Sequence, residues 1–65
     1  MDINKYYKIR ILLNGNDLNF TVKALAIENG FLKFIDKYGK TQEYNLINIV
    51  SSEEISKKQF EGIKK

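Results

Sequence analysis

The chain has 65 residues, a formal charge of +3, 43% hydrophobic residues, and neither Cys nor His. One domain of this size buries only about 60% of the surface its unfolded chain exposes, and the composition excludes disulfides, the usual zinc ligands, the imidazole base and the thiol nucleophile. No apolar run approaches the roughly 18 residues of a membrane span, and Met1-Asp2-Ile3-Asn4-Lys5 lacks the apolar core of a signal peptide, so a cytoplasmic protein with no membrane partner is expected.

Apolar and polar residues alternate from Tyr6 to Phe34 with one change of phase near Lys23, and Gly-containing turn signals interrupt the run. A period of two puts every second side chain on one face of a sheet, so the pattern predicts a small curved antiparallel meander. Tyr6 to Leu13 is the first strand, with Tyr7, Ile9, Ile11 and Leu13 inward and Tyr6, Lys8, Arg10 and Leu12 outward. Asn14-Gly15-Asn16-Asp17 reads as a turn, since Gly and Asn tolerate positive φ and Asp bonds its own following backbone.

The second run begins with Leu18, Phe20 and Val22 inward, but beyond Lys23 the large residues are Leu25 and Ile27, one residue out of step. An extra residue in a strand makes a β-bulge or sharp bend. In a small sheet such a bend lets the strand leave one layer and join another, so the phase break predicts closure. Asn29-Gly30 predicts a type I′ hairpin between Leu25 to Glu28 and Phe31 to Asp36, with Leu32 and Phe34 inward and Phe31, Lys33 and Ile35 outward. Lys37-Tyr38-Gly39-Lys40 is the next turn, Thr41 to Tyr44 the next strand, Asn45-Leu46 a brief turn, and Ile47 to Val50 a short last strand.

Ser51-Ser52-Glu53-Glu54 offers a helix N-cap with acidic residues in the first turn, and Lys64-Lys65 completes the charge order that a helix dipole favours. Ile55, Phe60 and Ile63 give this segment a partial apolar stripe, while Gly62 shortens it. Residues 1 to 56 hold seven basic and seven acidic side chains, so the whole positive excess lies in residues 57 to 65. A phosphate-binding barrel carries its cations on the barrel itself.

Five short strands, a turn after the first, a bend in the long second run and a closing Asn48-Ile49-Val50-Ser51 strand resemble the Sm-like and SH3-like small barrels over residues 7 to 52. The segment Lys8-Ile9-Arg10-Ile11-Leu12-Leu13-Asn14-Gly15 is similar to the opening strand and turn of an Sm-like motif. The resemblance implies an all-β fold: a small five-stranded antiparallel barrel with a short C-terminal helix. It makes residues 1–65 one domain, with strands over about 6–50 and a helix or tail over about 52–65. Sm-like proteins place a helix before the first strand, a Gly in the second, and an Arg or Lys with Gly near the fourth-to-fifth strand turn, where uridine binds. Here the stretch before Tyr6 is too short for that helix, Phe20 to Ala26 contains no Gly, and Tyr44-Asn45-Leu46 offers no cation. The departures fall on the RNA pocket and leave the ring-forming fold open.

Catalysis would have to rest on carboxylates, Lys, Tyr or Ser, and the one dense cluster, Ser51 to Glu54, diverges in side-chain direction whether helical or extended. Asn14, Asn16 and Asp17 offer oxygens, but a calcium loop needs several carboxylates and a bidentate Glu at fixed spacing. No phosphate-cradling GxxxxGK or GxGxxG pattern occurs. No enzyme activity, catalytic residue, metal site or cofactor is expected.

Two surfaces remain. Leu12, Phe31 and Ile35 fall on the outward register of strands whose inner register is already filled, which marks a protein interface unless the C-terminal helix folds back on them with Phe60 and Ile63. Tyr6, Lys8, Arg10 and Lys33 mix aromatic and cationic groups, the ingredients for stacking bases and neutralising phosphate, but Glu28, Asp36 and Glu43 are interspersed. The sequence therefore points first to a non-catalytic interaction module that binds or occludes a partner protein or self-assembles. The alternative is a binder of RNA, single-stranded DNA or a small nucleotide. Heavy use of Ile, Lys and Asn, with Arg10 the only Arg and no Pro or Trp, is the bias of an AT-rich genome and suggests a phage or mobile-element protein in a bacterial cytoplasm.

Overall fold

Five antiparallel strands form one open sheet in the order β4-β3-β2-β1-β5, in a computed structural model that describes residues 1–62. The strands are β1 (Tyr6–Leu13), β2 (Asn16–Glu28), β3 (Phe31–Asp36), β4 (Thr41–Asn45) and β5 (Ile49–Ile55). A 3-10 turn (Leu46–Asn48) joins β4 to β5, and a five-residue helix α1 (Lys57–Glu61) follows. Ile63, Lys64 and Lys65, expected at the end of a helix, lie outside the described residues. No helix among the described residues is long and apolar enough to cross a membrane.

The alternation in β1 sorts its side chains as expected: Tyr7, Ile9 and Ile11 are buried, and Lys8, Arg10 and Leu12 are exposed. The first turn is tighter than the four residues read from the sequence. Leu13 pairs with Asn16, so only Asn14 (φ 52°) and Gly15 (φ 80°) lie between the strands. Two successive positive φ values are what a type I′ hairpin requires, and its twist matches that of the flanking strands. Asn29 (φ 51°) and Gly30 (φ 80°) repeat the device between Glu28 and Phe31.

The phase break in β2 is a bulge. Ala24 stands opposite Phe34 and Ala26 opposite Lys33, which leaves Leu25 as the extra residue. Alternation judged by large side chains puts the break at Lys23. The strand keeps its phase one residue pair longer, because Ala24 is completely buried beside Phe34 and too small to register in such a pattern.

Beyond the bulge the sheet turns back over its own inner face. The Phe20 ring lies 5.5 Å from that of Phe34 and 5.8 Å from that of Tyr44. In a flat sheet Tyr44 would stand two strands away, in the row of Ile27, more than roughly 20 Å along β2 from Phe20. Coiling brings these faces together around Tyr7, Ile9, Ile11, Val22, Ala24, Leu32 and Phe34, with Leu18, Phe20, Tyr44, Leu46 and Ile49 packed against them.

Asp36 is the one buried charged residue among the described residues, and it organises the β3–β4 turn. Its Oδ1 accepts the backbone N–H groups of Tyr38 and Lys40, both at 2.9 Å, and its Oδ2 accepts from Gln42 Nε2 at 3.0 Å. Gln42 Oε1 in turn accepts from the Tyr44 hydroxyl at 3.2 Å. The Lys40 N–H, followed by those of Tyr38 and Gln42, holds the carboxyl below its ordinary range against the opposing effect of burial.

The C-terminal region departs from expectation. The last strand is not Ile47 to Val50 but Ile49–Ile55, and Ser51 to Glu54 do not cap a helix. They continue the ladder along β1, with Arg10 opposite Ser51, Lys8 opposite Glu53 and Tyr6 opposite Ile55. The backbone groups on that edge of β1 need partners, and a full row of ladder bonds outweighs a local capping preference. Val50 is a second extra residue, since Arg10 faces Ser51 while Ile11 faces Ile49.

The cap is Ser56. Its Oγ accepts the Gln59 N–H at 3.0 Å, and Gln59 Oε1 accepts the Ser56 N–H at 2.9 Å. This reciprocal capping box is the reason so short a helix forms at all. It lays the Phe60 ring 4.9 Å from Tyr6, over the end of the outer face where Ile55 is buried. Ser56→Ala is expected to cost about 1 kcal/mol of local stability. In an NMR spectrum the Tyr6–Phe60 cross-peaks should fade while the cross-strand peaks between β1 and β2 persist; unchanged Tyr6–Phe60 contacts would show that the cap is not what seats the helix.

Candidate functional site

The outer face of the sheet carries all seven residues singled out from the sequence, but it divides them into groups. One row runs Ile55, Tyr6, Lys23, Ile35, Thr41 across five strands. At its β1 end Phe60 covers Tyr6, and Lys23 Nζ lies 5.9 Å from the Tyr6 ring centroid. Tyr6 is thus engaged on its own chain. Ile35 is half-buried in the same row, and Phe31 stands on the same side of β3 four residues away, about 13 Å along the strand.

The cations are partly matched in place. Arg10 grips Asp17 bidentately, with Nε to Oδ1 at 2.9 Å and Nη2 to Oδ2 at 2.7 Å. This hydrogen-bonded pairing lowers the Asp17 carboxyl and raises the Arg10 guanidinium from their ordinary values. Lys33 stands across from Glu43, and Lys8 across from Glu53. The structure therefore does not gather Tyr6, Lys8, Arg10 and Lys33 into one free cationic surface.

The apolar residues are disposed differently. Leu12 and Phe31 belong to opposite hairpins, beside Asp17 and Glu28 at the two ends of β2. The coiling of the sheet and the 3-10 turn bring those ends toward each other. Phe31 pairs with Asn45, where the turn begins, and Ile11, next to Leu12, pairs with Ile49, where it ends. Asn45 caps the turn, its Oδ1 accepting the Ile47 N–H at 3.0 Å, and Leu46 N–H bonds Gly30 O at 2.8 Å. Ile47 is left 81% exposed and the bulged Val50 52% exposed, beside Leu12 at 47% and Phe31 at 41%.

Reading Ile47 to Val50 as a strand concealed two of these four residues. The signal that could have found them is Asn45, a good cap placed immediately before Leu46-Ile47.

Two depressions flank β1 and β2. One, of about 350 Å³, is lined by Lys8, Phe20, Thr21, Asp36, Lys37 and Tyr38, together with Ile9 and Asn19. The other, of about 330 Å³, lies toward β5 against Arg10, Ser51, Ser52 and Glu53, and shares Lys8, Ile9 and Asn19 with the first. Among the described residues, no group of three or more acidic side chains is placed to hold a metal ion. The chain matches no protein-family model, no curated protein and no solved structure.

Proposed function

We propose that the chain is a non-catalytic interaction module, a small barrel of SH3-like or Sm-like strand order, that binds or occludes a partner protein or assembles with copies of itself. The barrel reading draws support from the Leu25 bulge and from the contact of Phe20 with Tyr44 across the coiled sheet. In keeping with its composition, we place it in a bacterial cytoplasm, encoded by a phage or other mobile element.

The observation that carries the functional reading is the apolar quartet around the 3-10 turn. Leu12, Phe31, Ile47 and Val50 are exposed in a domain whose inner face already has a filled core. Scattered apolar residues are ordinary on a protein surface, but several held about one short turn are characteristic of a contact. A domain this small also gains most from association, having neither disulfide nor metal to reinforce it.

Size-exclusion chromatography with light scattering tests the reading. The wild-type protein is expected to run above monomer mass or to retain a protein partner through purification. Phe31→Asp and Ile47→Asp should release it, with an unchanged circular dichroism spectrum. Variants that assemble and bind as the wild type does would overturn the assignment. With four Tyr and no Trp the chain absorbs weakly, so excess absorbance at 260 nm in the wild-type peak would instead favour the RNA, single-stranded DNA or nucleotide reading.

A further inference from the structure

β2 has a side that no strand covers. β1 pairs with it from Asn16 to Lys23, whereas β3 pairs with it only from Val22 to Glu28. Along Asn16 to Phe20 the flank away from β1 is therefore bare. The direction of its backbone groups follows from one bond, in which the Lys37 N–H donates to the Thr21 carbonyl at 3.0 Å. In an antiparallel strand a residue's N–H and C=O point to the same neighbour, and alternate residues point the same way. Asp17 and Asn19 are in step with Thr21, so both aim a donor and an acceptor at the uncovered flank. Among the described residues, no strand, turn or side chain bonds these four groups.

The larger depression lies along this edge, with Lys8 on one rim and Lys37 and Tyr38 on the other. Of the nearby carboxylates, Asp17 is engaged by Arg10, Asp36 by the Tyr38 and Lys40 N–H groups and Gln42, and Glu53 stands across from Lys8 on the side toward β5. Lys8 and Lys37 form no ion pair among the described residues. Tyr38 is 79% exposed with Lys37 Nζ 5.4 Å from its ring, and Phe20 contributes apolar surface to the floor.

From this arrangement we infer that the Asp17–Thr21 edge of β2 receives an extended acidic segment of another protein as an added strand. Its backbone would complete the ladder that β3 leaves unfinished, in the manner of strand addition. Acidic side chains on one of its faces meet Lys8 and Lys37, and apolar ones on the other meet Phe20 and Tyr38, so the segment alternates acidic and apolar residues. The free edge accommodates about five residues.

Two other occupants fit less well. A second copy paired edge to edge would bring Lys8 and Lys37 of both molecules to one seam. A nucleic acid would satisfy the two N–H groups but set its phosphates against the carbonyls of Asp17 and Asn19. The site is separate from the apolar quartet around the 3-10 turn, so either assignment can fail alone.

The test is a fluorescence anisotropy titration of the full chain with a labelled nonapeptide of alternating Glu and Val, alongside the Lys and Val counterpart and an oligouridine. Saturable binding of the acidic peptide alone is expected, with amide shifts in the NMR spectrum at Asp17, Asn19 and Thr21. Combined Lys8→Glu and Lys37→Glu should weaken it at least about tenfold. Asn19→Pro, which removes an edge N–H that the β1 ladder does not use, should abolish it. Phe31→Asp should leave it unchanged. Absence of binding, equal binding of both peptides, preference for the oligouridine, or shifts confined to Phe31 and Ile47 would each overturn the inference.

Discussion

Phe34→Ala is expected to leave the chain unfolded at 25 °C. Phe34 is completely buried, and its ring meets Phe20 at 5.5 Å and Tyr44 at 5.9 Å, so it links the two halves of the coiled sheet. Replacing a buried Phe by Ala costs about 3–5 kcal/mol through lost transfer energy and the cavity left behind. A chain of 65 residues has a total stability of roughly 3–10 kcal/mol at 0.05–0.15 kcal/mol per residue. The substitution therefore removes from about a third of it to all of it, and a chain this small, with neither Cys nor His to reinforce it, belongs at the low end of that range. Far-UV circular dichroism and amide dispersion in an NMR spectrum read the result, with Phe31→Ala, on the outer face of the same strand, as a control that should keep a cooperative transition. A Phe34→Ala protein that melted cooperatively near the wild-type temperature would show that the aromatic contact does not hold the fold.

Asp36→Ala should lower the thermal midpoint by about 10 °C, because the N–H groups of Tyr38 and Lys40 and the Gln42 amide all lose their acceptor. Its acid dependence has a definite sign. The folded carboxyl is held below its ordinary range, so the unfolded chain takes up a proton first as pH falls. The stabilisation is fully present above the unfolded value of about 4 and is lost as pH drops through the lower folded value. Asp36→Asn should accordingly differ most from the wild type at neutral pH and converge with it in strong acid. Asp17, lowered by Arg10, contributes in the same direction and remains in both proteins. Urea midpoints measured from pH 7 down to pH 2 decide the point. A difference that stays constant over that range would mean that the shape of the turn, and not the charge of Asp36, supplies the effect.

The alternation of β1, the Asn29-Gly30 turn and the inward placing of Leu32 and Phe34 were legible in the sequence, because a period of two and an αL-tolerant pair are local signals. The bend in β2 was legible too, although buried Ala24 displaced it by one step. What local pattern could not show was β5. Ser51 to Glu54 carry a capping composition, and only the long-range demand of the β1 edge makes them a strand. Mistaking that region hid the exposure of Ile47 and Val50. The engagement of Arg10 by Asp17 and of Tyr6 by Phe60 was likewise beyond reach, since each depends on a pairing register or a helix seat that spacing alone does not fix. The sequence shows Tyr38 only as part of a turn, and its place on the rim facing Lys8 depends on where β3 stops along β2.

The sheet order has a consequence for synthesis on the ribosome. β1 to β4 each pair with the strand just before or just after them in the sequence, so this meander can assemble as it emerges. β5 alone pairs with a strand made about fifty residues earlier, Tyr6 lying opposite Ile55. Until β5 leaves the exit tunnel, the outer edge of β1 stays bare beside an apolar face. The nascent chain thus passes through an interval in which that edge is open to strand pairing with any neighbour, and β5 ends it by occupying the edge from within the same molecule.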